Sequence, residues 1–364
     1  MKKIIILIII IIILIFSLFL IIPKKEKNIS FDHVYISSSL PSHFGKKSEI
    51  ILTDKNGVIK HKIKLGKTSY YSIYIDSNSK IHTIGSNENF RYVYDYKSNS
   101  LERIYLGKTD NEKECKGNNY IMFEINNDIV SILTENVDKN YVHYQDKCYE
   151  IPSELYSYNY DKTTNKLLLE TNNLIYEIDF NNKIINEKNV EDNNLVKSSM
   201  FKNYSDEDYI YSTQVLLDNK NINIKAQPDK IIYLIKRNKK DYKIVEKKEI
   251  DRLTYGNNEN HNESIAGLFN NNKYYYLKYK DGQTNLEIYD LNFNLIDNQN
   301  ITRNEWNNKK LDSRFTKIID NKLHFFSSNT HYIYDYDNKK YEKVINIDVR
   351  NNYHISNFDV KKTN

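Results

Sequence analysis

SYYSIYIDSNSKIHTIGSNENFRYVYDYKSNSLERIYLG, residues 69–107, contains four short runs rich in Tyr, Ile and Val: YYSIYI, KIHTIG, FRYVYDY and LERIYLG. Aromatic and β-branched side chains suit a pleated, half-buried surface. Between the runs stand Asp76-Ser77-Asn78-Ser79, Asn87-Glu88-Asn89 and Lys97-Ser98-Asn99-Ser100. Asp, Asn and Ser bond their own backbone and tolerate left-handed conformations, so these segments read as turns. Four strands joined by tight turns make an antiparallel meander. Such a sheet has two faces to bury and needs neighbours stacked on both.

Working outward, the same scheme recurs. Units are expected at 33–66, 69–107, 119–152, 155–190, 208–250, 264–301 and 314–347. The first ends in SEIILTDKNGVIKHKIKLG (48–66), whose KIKLG echoes RIYLG (103–107). From 33 to 314 is six steps over 281 residues, a mean near 47. A period of roughly 40–50 with four strands per unit is the signature of a β-propeller. The fold class is therefore all-β, a seven-bladed propeller of four-stranded antiparallel blades over 28–364. Low Gly, with 9 residues, leaves Asn and Asp to form the turns, and the 32 Tyr read first as strand filler.

RYVYDYKSNSLERI (91–104), NLEIYDLNFNLIDN (285–298) and HYIYDYDNKKYEKV (331–344) resemble the broad propeller repeat superfamily, nearest the YVTN-type and quinoprotein-type repeats. The resemblance covers about 31–360. It implies a fold and carries no activity, because propellers host many unrelated functions. The first unit lacks a first strand, and YHISNFDV (353–360) reads as a first strand without a unit. The carboxy-terminal strand is expected to complete the first blade, which removes an open edge.

Ahead of the repeats, Ile4 opens and Ile22 closes a nineteen-residue apolar run whose one polar member is Ser17. As a helix it would span about 28 Å, enough for the hydrocarbon core. It lacks the small-residue cleavage site of a removed signal peptide. Residues 1–27 are expected to form a cytoplasmic tip and a retained signal-anchor, with the propeller on the extracytoplasmic side of the cell membrane. Residues 1–27 carry five Lys and one Glu, hence +4 of the whole chain's +5, which leaves +1 for the rest. A near-neutral ectodomain argues against a nucleic-acid partner. The basic stretch KRNKK (236–240) reads as a solvated turn. The two cysteines, Cys115 and Cys148, are either a disulfide or two free thiols.

Blade topology sorts the connections. Turns from strand one to two and from three to four share one face, and all are short. Turns from two to three and the links between blades share the other, which holds the long segments 108–118, 191–207, 251–263 and 302–313. Loops carry function more often than the scaffold beneath them. These loops contain Trp306 and Arg303, Arg252, Tyr255 and His261, and Phe201. Exposed Trp, Tyr and Arg are enriched at binding hot spots, so the six form the candidate site; Trp306 reads equally as a plug under its loop. No zinc-protease, nucleophile-elbow, dinucleotide, P-loop or CxxC motif is present, and no catalytic residue, cofactor or metal is expected. The expected function is a binding module for a protein or surface glycan. The alternatives are a hydrolase or lyase acting on a cell-surface substrate, and a scaffold subunit of a membrane complex.

Overall fold

A computed structural model describes residues 29–39, 48–66, 68–136, 138–171, 173–190, 201–218, 229–253, 266–280, 282–304, 312–327, 329–349 and 353–361. The apolar run 4–22 lies outside them. Among the described residues no helix is long and apolar enough to cross a membrane.

The first strands are β1 (His33–Ser39), β2 (Glu49–Thr53) and β3 (Ile59–Lys64). Blade 2 follows as β4 (Tyr70–Ile75), β5 (Ile81–Gly85), β6 (Phe90–Asp95) and β7 (Ser100–Tyr105). Blade 3 is β8 (Asn118–Ile125), β9 (Asp128–Asn136), β10 (Lys139–Tyr144) and β11 (Lys147–Ile151). Blade 4 is β12 (Ser157–Asp161), β13 (Lys166–Glu170), β14 (Leu174–Asp179) and β15 (Ile184–Asn189). Two short strands come next, β16 (Phe201–Lys202) and β17 (Tyr204–Ser205), then the long β18 (Tyr209–Asp218), β19 (Asp229–Asn238) and β20 (Ile244–Leu253). Blade 6 is β21 (Ala266–Asn270), β22 (Lys273–Lys280), β23 (Gln283–Asp290) and β24 (Leu295–Asn300). Blade 7 is β25 (Asp312–Ile319), β26 (Lys322–Ser327), β27 (Thr330–Asp335) and β28 (Lys340–Asn346), and β29 (Tyr353–Val360) ends the chain of strands.

These strands form seven sheets, antiparallel throughout except where β16 joins one of them. In the first blade β29 pairs with β1, from His33 opposite Val360 to Ser39 opposite Tyr353. The ring thus closes through one strand from the carboxy terminus and three from the amino terminus. The fifth blade differs from the reading of its sequence. Its innermost strand is β17, inside the segment 191–207 taken there as loop, and it pairs with β18 only at Tyr204–Tyr211 and Ser205–Ile210. Just before it, β16 runs parallel to β12 and joins blade 4 instead, making that sheet five-stranded.

Burial follows radius. β2 and β5 are buried at every position, whereas the outermost strands β7 and β15 are almost wholly exposed. Strands sandwiched between blades read as continuous apolar runs, because both faces meet a neighbour. The core is correspondingly divided into seven apolar clusters, one at each seam between blades. The smallest, between blades 4 and 5, holds only Leu168, Ile175, Val190, Ile210 and Tyr242.

The Asp-aromatic pairs of the repeat have two jobs. Asp95, Asp179 and Asp335 end third strands and accept backbone N–H groups of the turn that follows, as does Asp290, which Leu291 follows instead of an aromatic. The aromatic after Asp tucks against the preceding blade: Tyr96 on Phe31 at 5.0 Å between ring centres, Phe180 on Tyr144 at 4.3 Å, Tyr336 on Tyr275 at 4.8 Å. Such ring pairs add about 0.5–1.5 kcal/mol beyond area burial. Asn and Asp replace Gly in the tightest hairpins: Asn126-Asn127, Asn271-Asn272 and Asp320-Asn321 all have positive φ. Two consecutive positive φ values give the turn whose twist matches that of the strands. Asp76 and Asp335 head hairpin turns with a single positive φ, at Ser79 and Lys339.

Candidate functional site

The seam between blades 4 and 5 is apolar-poor because a polar network fills it. Ser157 Oγ donates to Glu170 Oε2 at 2.6 Å, and Asn203 Nδ2 donates to the same Ser157 Oγ at 2.7 Å. Gln214 Nε2 donates to Glu170 Oε1 at 3.1 Å, and the Arg237 guanidinium pairs with that oxygen at 3.3 Å. All five residues are buried, Arg237 to 2% exposure. Asn203 occupies its place because the inner strand bends there, from pairing with β12 to pairing with β18. Its Oδ1 and the Ser212 Oγ are buried and unpartnered. The turn expected at 236–240 is present from Lys239, but Arg237 lies ahead of it in β19 and its side chain is internal. The flanking lysines concealed it. Nothing in LLLE (167–170) marked Glu170 as its partner, since the two lie on different blades.

A second polar group lies on the long-loop face of blade 2. Its turn 86–89 holds Glu88, whose Oε1 accepts from Thr68 Oγ1 at 3.3 Å, while Oε2 is buried without a partner. The carboxyl group lies over Gly85, where an added Cβ would stand 2.6 Å from Glu88 Cδ. Tyr70 and Tyr92 stand beside it with rings 5.9 Å apart. Burial pushes the Tyr92 hydroxyl pKa up, and the nearby Glu88 charge adds to the shift. A carboxylate beside aromatic faces suits a cationic or hydroxyl donor.

Of the six residues expected to form a joint site, Trp306, Tyr255 and His261 lie outside the described residues. Phe201 falls in β16, on the innermost ring, rather than in a loop. Arg252 is on the outermost strand β20, where it forms a two-pronged pair with Glu249 of the same strand at 3.1 and 3.2 Å. Arg303 lies over the rings of Tyr341 at 4.8 Å and Tyr332 at 5.7 Å, on the outer part of blade 7. The structure does not bring Phe201, Arg252 and Arg303 together. The segment reading failed for Arg252 because β20 runs three residues past the expected end of the unit. Cys115 and Cys148 form a disulfide with Cα atoms 5.9 Å apart, tying the link before blade 3 to that blade's outer strand.

No family model matches the chain, and no curated protein matches it. Solved structures do. A 6-phosphogluconolactonase-like protein of Bacteroides uniformis superposes with a TM-score of 0.52 at 8% identity, over 91% of this chain and 100% of the other. One of Bacteroides fragilis gives 0.50 at 10% identity, over 92% and 99%. The chain is a seven-bladed β-propeller. It also spans 66% of the length of the dihydro-heme d1 dehydrogenase NirN, over 86% of its own, at 8% identity and a TM-score of 0.48. At these identities the propeller shares a fold with its neighbours.

Proposed function

We propose that this propeller is tethered by residues 4–22 on the extracytoplasmic side of the cell membrane and binds a protein or surface glycan through its long-loop face. The observation that carries the reading is where the chain enters the ring. Asp32 accepts the backbone N–H groups of Lys55 and Lys361, at 2.8 and 2.9 Å. Lys55 belongs to the short turn between β2 and β3, so the amino-terminal end of the domain is on the short-turn face. An anchor there would leave the long-loop face pointing away from the lipid. The disulfide fits an oxidising compartment. Binding is favoured over acid–base chemistry because both Glu170 oxygens are engaged inside the protein.

The test is a pull-down from detergent-solubilised membranes of the native cell. The baits are the full chain, a Glu88→Gln variant and a Trp306→Ala, Tyr255→Ala double variant. A partner lost with either variant, while all baits melt alike, supports the long-loop face. A partner retained by both defeats it. Alkaline carbonate extraction of the same membranes checks the tether separately: release of the chain into the soluble fraction rejects it.

A further inference from the structure

We infer that a cavity between blades 6 and 7, on the short-turn face, binds the headgroup of a zwitterionic phospholipid; this rests on the tethered reading above. The cavity has a volume of about 230 Å³ and is lined by Lys273, Tyr275, Asp297, Tyr336, Asp337 and Lys339, with Ile288 and Ile296 as apolar walls. That is below the ~300–1,000 Å³ usual for a drug-sized ligand, so it suits a headgroup and not a polymer.

Its charges are not all used up. Lys339 Nζ is bound to Asp297 Oδ1 at 3.0 Å, and Asp297 Oδ2 accepts from Gln299 Nε2 at 2.7 Å. Lys273 and Asp337 remain exposed, and among the described residues neither carries an ion pair. One free cation and one free anion at the rim of one cavity are the complement of a zwitterion. The phosphate accepts from the Lys273 ammonium, and the headgroup ammonium donates to Asp337. Tyr275 and Tyr336, ring centres 4.8 Å apart, complete the lining beside these charges. Ile296, 49% exposed, offers an apolar surface to the glycerol end.

The position favours a lipid over a free solute. The turns that carry Lys273 and Asp337, on blades 6 and 7, lie on the face where Asp32 enters blade 1. Only residues 23–28 separate the apolar run from the described domain, and six residues fully extended reach at most about 20 Å. A tether that short holds this face against the headgroup layer.

The experiment uses the full chain in a non-ionic maltoside detergent and titrates glycerophosphoethanolamine by calorimetry, with Lys273→Ala and Asp337→Ala variants in parallel. Both positions are exposed turn or strand-end sites, and unchanged melting confirms that the variants fold. Saturable binding that weakens about five-fold in each variant is the expected result. No binding to the wild type overturns the inference, and so does undiminished binding in both variants. Equal binding of inorganic phosphate reduces the site to an anion site, and equal binding of glycine assigns it to a free amino acid; either result also overturns it. Failure of carbonate extraction to retain the chain would reject the tether and leave the calorimetric result readable by itself.

Discussion

At the residue scale the decisive groups are buried polar ones. Glu170 and Arg237 pair inside a seam with little apolar contact. Removing one member leaves an uncompensated buried charge, so Glu170→Ala is expected to cost about 3–5 kcal/mol in urea unfolding. The double change Glu170→Leu, Arg237→Met should recover most of it; a single variant within ~0.5 kcal/mol of wild type would show that the network is not what holds the seam. Histidines make a second prediction. His33, His82, His143, His324 and His331 are buried, and burial lowers the pKa of each, to about 3 for His143 and His324. The unfolded chain therefore binds protons first, near pH 6.5, while the folded chain resists them. The stabilisation is complete above pH 6.5 and is lost as pH falls, by about 2 kcal/mol at pH 5 for each of His143 and His324. Urea midpoints at pH 7.5 and pH 5.0 measure it, and equal midpoints would refute it. The effect concentrates at the closing seam, where His331 bonds Tyr35 at 3.0 Å and His324 at 3.1 Å, and Phe358 of β29 lies 4.8 Å from the His331 ring.

At the element scale the closing strand carries the largest consequence. β29 covers β1 along its length, and its Phe358 is fully buried. Deleting 351–364 exposes that edge and opens the cluster containing Tyr35, Ile51, Phe326 and Phe358. A melting temperature lowered by more than about 10 °C is expected for the truncated chain. A change of one or two degrees would mean that the ring does not depend on this strand. The disulfide acts on an element too. Cys115 and Cys148 are 33 residues apart, so chain entropy puts its contribution at about 3–4 kcal/mol. Unfolding of a Cys115→Ser, Cys148→Ser variant tests this, with no loss of stability as the contrary result. Blade 5 shows where element reading from sequence stops. Its inner strand is two residues of a pair-switching segment, too short to leave a period of two.

At the scale of the whole molecule, the sequence determined the blade count, the turn chemistry and the orphan strand at 353–360. These are local patterns that recur along the chain: Tyr-rich strands, Asp-aromatic turns in blades 2, 4 and 7, and Asn pairs where the backbone needs positive φ. Repetition makes such signals legible, because an error in one unit is corrected by the next. Only the tertiary structure decided what the seams contain and which residues meet there. Arg237 looked like one lysine-rich turn residue among five, and became internal because a carboxylate on another blade faces it. Glu88 looked like turn filler, and its carboxyl group came to rest over Gly85 beside two tyrosines. Arg252 and Arg303 looked like members of one site on the long-loop face, and the ring placed them on the outer parts of blades 5 and 7. The physical reason is common to all of these. Strand, turn and period are set by contacts within a few residues, whereas a site on a propeller is assembled from side chains that closing the ring brings together from separate blades.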